Sequence, residues 1–176
     1  VHESRWSRWD GPPSSARTAA QALCGGLRAA AFRAPVLLFD IGAARLLGHR
    51  FLLLTHRGRR TGLVHRTVLE VIGWDPLRRE ATVLVGFGPR ADWFRNLRRG
   101  GGLEVRAGDD RFVPVHRVLD VAEAAEALAG YERRNRMITP VLRAILSRLA
   151  GFDYDGTPEA RLRLVGELPI VAVRPA

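Results

Sequence analysis

Phe51-Leu-Leu-Leu-Thr-His-Arg-Gly-Arg-Arg-Thr-Gly62, followed by Arg66-Thr67 and the run Val68 to Ile72, decides how this chain reads. An apolar run breaks at Gly58, two glycines bracket Arg59-Arg60-Thr61, and a second strand-like run follows. That pattern predicts a β-hairpin whose tip carries guanidinium groups and a hydroxyl beside small residues. Small residues let backbone N–H groups approach a ligand, and Arg presents a rigid fork matched to phosphate or carboxylate oxygens. An anion bound at the tip is the functional reading. A solvated turn whose charges serve only solubility is the competing one, and spacing alone does not separate the two.

Working outward, strand-like segments fall at 51–57, 64–74, 80–87, 103–107 and 111–119, with a last one at 169–174. Asp75-Pro76 predicts the turn after the second, and Gly108-Asp109-Asp110 a three-residue hairpin loop between the fourth and fifth. A short helix is expected over 91–99, started by Asp92 or the residue before it and stopped by Gly100-Gly101-Gly102. Asp120 with Glu123 forms a capping-box pattern opening a helix to about Arg134. Thr139-Pro140 and Thr157-Pro158 open two more. Upstream, residues 1–14 read as an irregular arm, and 15–48 as two amphipathic helices stopped by Gly48. No repeat or low-complexity linker divides the chain, so residues 1–176 are expected to form a single domain with its core in 51–176. Six strands with few parallel crossovers predict an α+β fold with an antiparallel, barrel-like sheet and flanking helices.

Composition narrows the function. A chain of 176 residues buries roughly 70% of its unfolded surface and needs no staple. The single cysteine, Cys24, cannot pair within the chain and reads as a small buried residue. No metal-ligand spacing stands out among the five histidines, and His56 with His65 lack a third ligand, so no metal is expected. The net charge of +10 comes from 28 arginines, no lysine, spread from Arg5 to Arg174. Dispersed charge favours an anionic partner without a nucleic-acid motif, so nucleic acid is not the expected partner. No stretch reaches the ~20 clean apolar residues of a membrane span, and no secretory leader is evident. A cytoplasmic protein is expected. Contact with the inner face of a membrane through the two N-terminal helices is the alternative.

Three segments carry candidate chemistry. The hairpin tip holds Arg59, Arg60 and Thr61, with His65, Arg66, Thr67 and Val68 after it. The end of the third strand, Val85-Gly86-Phe87-Gly88, has glycines that let a flat ring or a phosphate lie against backbone. The start of the short helix carries Trp93 and Asn96. Gly86 and Gly88 do not make a dinucleotide fingerprint, because the third glycine and the βαβ setting are missing.

In this order the motifs resemble the deazaflavin-dependent nitroreductases, also described as quinone reductases using coenzyme F420, within the split β-barrel flavin-binding folds. The resemblance runs from about Leu52 to Leu119 and more weakly to the final strand. It implies a split antiparallel barrel and places Arg59, Arg60, Thr61, Arg66 and Thr67 at the cofactor's phosphate and acidic tail, with His65 and Val68 also among the cofactor-binding residues. It also puts Val85, Gly86, Phe87 and Gly88 by the deazaflavin ring, with Trp93 and Asn96 closing the pocket. The implied activity is hydride transfer to a quinone, nitro compound or activated enone. FMN is the alternative cofactor, a non-catalytic flavin carrier the alternative role, and a homodimer is left open. The chain departs from the pattern at Val68, where many relatives have Pro, and at Gly86-Phe87, where they have Lys or Ser. Of the tyrosines that line the substrate side in relatives, Tyr131 is the candidate proton donor or lid. Because the cofactor carries such chemistry, the protein needs no nucleophile or triad, and none is visible.

Overall fold

The computed structural model describes residues 48–176. The arm, the two N-terminal helices with their membrane reading, and Cys24 lie outside them. The described chain runs β1 (Phe51–Arg57), β2 (Val64–Asp75), β3 (Glu80–Leu84), a 3₁₀ turn (Gly88–Arg90) and α1 (Asp92–Arg98). It continues through β4 (Gly102–Ala107), β5 (Asp110–Phe112), β6 (Pro114–Val118) and α2 (Val121–Arg134). A second 3₁₀ turn (Arg136–Ile138), α3 (Thr139–Ala150), α4 (Pro158–Glu167) and β7 (Ile170–Pro175) complete it. The seven strands form an α+β, nearly closed antiparallel barrel in the order β5-β4-β1-β2-β3-β7-β6.

Two bent strands turn the barrel's corners. β2 pairs with β1 from Val64 to Glu70, then with β3 from Val71 to Asp75, with a register shift between Val71 and Gly73. At the opposite corner one residue, Val113, separates β5 on one end of the sheet from β6 on the other. The single strand expected over 111–119 is therefore two. Pro114 has no N–H to offer a ladder, so the chain leaves β4 and joins β7 at that point. The other differences are also local. The expected third strand stops at Leu84 rather than residue 87, because Gly86 and Gly88 donate back to Leu84 and Val85 and Gly88 takes φ +66°. Asp110 pairs with Ala107, so the expected three-residue hairpin loop has two residues, Gly108 and Asp109.

Inside and outside follow the strand period. Leu52, Leu54, Val83, Val105, Val171 and Val173 share one buried cluster with Trp93, Phe94 and Leu97, so α1 plugs the barrel. Ile72 and Ile170, of opposite parity, pack outside against Leu128, Tyr131, Leu142, Leu146 and Leu164 of α2, α3 and α4. α2 and α4 start where their caps predict, whereas α3 has Ile138 at its N-cap with no side-chain cap. Asp120 and Glu123 form the full capping box on α2, and the Thr157 hydroxyl accepts from Ala160 at α4. α1 has Ala91 at its N-cap, with Asp92 as its first residue.

The glycines after α1 hold it close to β1. A Cβ on Gly101 would lie 2.7 Å from the Arg57 carbonyl oxygen and 2.8 Å from that of Asn96. Both are backbone atoms that cannot step aside. A Cβ on Gly100 would meet nothing, although its φ is +73°. Gly100→Ala is therefore expected to cost about 1–2 kcal/mol, the ordinary left-handed penalty. Gly101→Ala is expected to cost more and to displace α1. Denaturant melts of the two variants check the order, and equal losses would contradict it.

Candidate functional site

Alternation along β1 puts Leu52 and Leu54 inside the barrel, and the next residue in that row is His56, 3% exposed. Its ladder partner is His65, and Thr67 pairs with Leu54, so these side chains share a face at the barrel mouth. α1 brings Asn96, also 3% exposed, against the same place. The Asn96 amide nitrogen donates to His56 Nδ1 at 3.1 Å. A neutral imidazole that accepts at Nδ1 carries its proton on Nε2, and that nitrogen donates to Thr67 Oγ1 at 3.1 Å. Asn96 Oδ1 accepts from the Arg59 backbone N–H at 3.0 Å and from Arg59 Nη1 at 3.1 Å. The Arg59 guanidinium also reaches Asp92 Oδ1 at 2.8 Å. A hydrogen-bonded chain thus joins the hairpin tip, α1, β1 and β2.

This chain floors a cleft of about 800 Å³ between the hairpin tip and α1. Four arginines (59, 60, 66 and 90) line it against one acid, Asp92, together with Thr61, Thr67, Phe87 and Trp93. The Arg59 hydrogen bond, helped by the charges of Arg59, Arg95 and Arg60, holds the Asp92 carboxyl below the usual range. Burial, then the neighbouring His65, push His56 below an ordinary histidine, and Asp92 opposes weakly. The cleft therefore offers cations, two hydroxyls and aromatic faces over a neutral imidazole. Such a set suits a flat anionic ligand. Its volume lies in the range of small-molecule sites.

Of the residues expected at a site, Arg59, Arg60, Thr61, His65, Arg66, Thr67, Phe87, Trp93 and Asn96 line the cleft. Val68 packs with Leu53 on the other face of the hairpin. Val85 is buried in the barrel core, and neither Gly86 nor Gly88 reaches the lining. A Cβ on Gly86 would meet Leu149 of α3. Tyr131 stands apart. Its hydroxyl donates to Glu70 at 2.6 Å, and it borders a separate cavity of about 480 Å³ with Arg50, Val71 and Trp74. Burial and Glu70 raise its pKa, so it keeps its proton. Arg59, expected to reach a ligand, spends its guanidinium on Asp92 and Asn96. His56, Gly58, Arg90, Ala91 and Asp92 complete the lining. The His56 role could have been found as the polar end of the inward row Leu52, Leu54. Arg90, after the Gly-Phe-Gly-Pro turn, gave no separate signal. No group of metal ligands occurs among the described residues, and no helix there is long and apolar enough to cross a membrane.

No protein-family model and no curated protein matches the chain. Among solved structures it is similar to an F420-H2 dependent reductase, FDR-A, at 14% identity and a TM-score of 0.47, over 73% of this chain and 96% of that one. A structure described as a domain-swapped dimer has 14% identity and a TM-score of 0.48, over 80% of this chain and 99% of its own. A pyridoxamine 5'-phosphate oxidase-related, FMN-binding protein from Nostoc punctiforme has 13% identity and a TM-score of 0.39, over 80% and 78%. At these values the architecture rests on the strand order itself.

Two outcomes are expected at the site. Asn96→Ala strands His56 Nδ1 and the Arg59 N–H without partners, so it should cost about 1–3 kcal/mol in a denaturant melt. The second concerns pH. An unfolded histidine takes its proton near pH 6.5, whereas folded His56 resists protonation to lower pH. The unfolded state therefore binds more protons below about 6.5, and stability should fall as the pH drops from there. His116, also lowered by burial, adds in the same direction. His56→Gln should flatten part of that fall in melts between pH 7.5 and 5, and an unchanged slope would remove His56 from this role.

Proposed function

We propose that the cleft holds a flavin-type polyanionic cofactor, coenzyme F420 in the first instance, and that the protein is a deazaflavin-dependent oxidoreductase. Its acceptor would be a quinone, a nitro compound or an activated enone. The observation that carries this reading is the cleft lining, in which Arg60, Arg66 and Arg90 stand beside Thr61, Thr67 and Trp93. The donor set fits the group. Cations and hydroxyls at the tip suit a phosphate and acidic tail, and Trp93 with Phe87 offers apolar faces to a flat ring. Such a cofactor supplies hydride chemistry when bound.

The protein's own part is binding and orientation. Arg59, pinned by Asp92 and Asn96, fixes the tip so that Arg60 and Thr61 keep their places. His56 donates to Thr67 Oγ1, which leaves the Thr67 hydroxyl proton to point elsewhere. Gly58 permits the tight approach of Thr61 and His65, since a Cβ there would lie 2.7 Å from Thr61 Oγ1. Tyr131 is not assigned a proton in this reading, because Glu70 holds its hydroxyl at another cavity.

Titration of the purified protein with F420 and with FMN tests the reading. F420 should bind more tightly, because several arginines suit the longer acidic tail, and its affinity should fall with rising ionic strength. Arg60→Ala should weaken it by about 1–3 kcal/mol. Tyr131→Phe should leave cofactor affinity unchanged. Equal affinity for both cofactors, or an affinity flat with salt, would overturn the F420 assignment. Binding without turnover of any quinone or nitro acceptor by the reduced cofactor would leave a carrier.

A further inference from the structure

The segment from Arg133 to Phe152 carries five arginines and no Asp or Glu. It spans the end of α2, the second 3₁₀ turn and all of α3. One face of α3 is spent on the core, where Leu142 and Leu146 are buried with Leu149 and Ala150 packed beside them. The other face is apolar as well. Met137 is 88% exposed, Ile138 43%, Val141 61% and Ile145 50%. Ile138, Val141 and Ile145 are spaced three and four apart, so they form one stripe that Arg148 continues. Two of the arginines are engaged elsewhere, Arg133 by Glu126 and Arg134 by the Ile72 carbonyl. Arg136, Arg143 and Arg148 form no ion pair among the described residues, and Asp155 acts on Arg143 only through space.

We infer that this face of α3 docks on an anionic lipid surface, with Met137, Ile138, Val141 and Ile145 entering the interfacial layer and Arg136, Arg143 and Arg148 meeting the headgroups. The chemistry selects the occupant. An exposed apolar stripe flanked by three cations, with Asp155 near Arg143 alone, needs a partner that offers an apolar layer and negative charge together, and an acidic bilayer does. A second copy of the chain does not. A twofold contact would set the same three arginines against one another, with Asp155 beside Arg143 the one acid acting on any of them among the described residues. The surface lies outside the cleft, and none of its side chains belongs to the cleft lining.

Co-sedimentation of the full chain with vesicles tests this directly. Binding to phosphatidylglycerol–phosphatidylcholine vesicles should exceed binding to pure phosphatidylcholine by at least about tenfold and weaken with salt. Val141→Glu with Ile145→Glu should lower it by about tenfold or more. Val141→Leu with Ile145→Leu should retain it. All four substitutions fall on exposed positions, and unchanged circular dichroism confirms the fold. Arg136→Gln, Arg143→Gln and Arg148→Gln together should abolish the preference for acidic vesicles. Equal partition into both kinds of vesicle, or binding indifferent to the Glu pair, would overturn the proposal. A concentration-dependent dimer that the Glu pair dissociates, with no vesicle binding in the parent, would assign the face to a second copy instead.

Discussion

The carboxamide of Asn96 is the group on which the site depends. It is nearly fully buried, and both of its polar atoms are committed to groups on other elements. Its oxygen takes two N–H groups of Arg59, and its nitrogen serves His56. A half-turn of the amide would set its NH2 against the Arg59 N–H groups, donor against donor, and its oxygen against His56 Nδ1, acceptor against acceptor. The amide orientation therefore fixes the histidine tautomer, and the tautomer fixes which way Thr67 is approached. A flexible hairpin tip becomes a rigid wall because one side chain from α1 is locked into it.

That lock explains why a cationic cleft is sustainable. Four arginines around one space repel each other, and an unconstrained loop would splay them into solvent. Here Arg59 is drawn back by Asp92 and Asn96, and the neutral state of His56 keeps a further charge out of the floor. Arg60, Arg66 and Arg90 remain on the lining. The internal role of Arg59 and the cleft-lining position of Arg60, Arg66 and Arg90 are two parts of one electrostatic arrangement.

Much of this was legible in the chain, for physical reasons that differ by element. The apolar run from Phe51 gave β1 closely, the segment after Gly102 gave β4, and the Asp120–Glu123 and Thr157–Pro158 signals gave the starts of α2 and α4. The strand across 111–119 was not divisible by pattern, since a bend at Val113-Pro114 changes ladder partners without changing alternation. The third strand ran too long because Val85 is as apolar as its neighbours, and the turn at Gly86 and Gly88 is a backbone matter. Within the site, residue types at the tip pointed to the cleft, but type cannot say which arginine is turned inward. Tyr131 was a candidate donor through the resemblance alone. Only the packing of α2 over β2 shows that its hydroxyl belongs to Glu70.

The placement of β7 has a bearing on how the chain is assembled. Residues 170–175 do not cap an edge but lie between β3 and β6, hydrogen-bonded to both. As the chain is made, β3 and β6 emerge long before the strand that separates them, each with an open row of N–H and C=O groups. In that interval the two could pair with each other or with another molecule. Arg117 on β6, ion-paired with Glu80 on β3 and Glu123 on α2, sits where such a mispairing would have to form. Late insertion of an apolar strand between two earlier ones makes the half-barrel slow to finish and cooperative once finished.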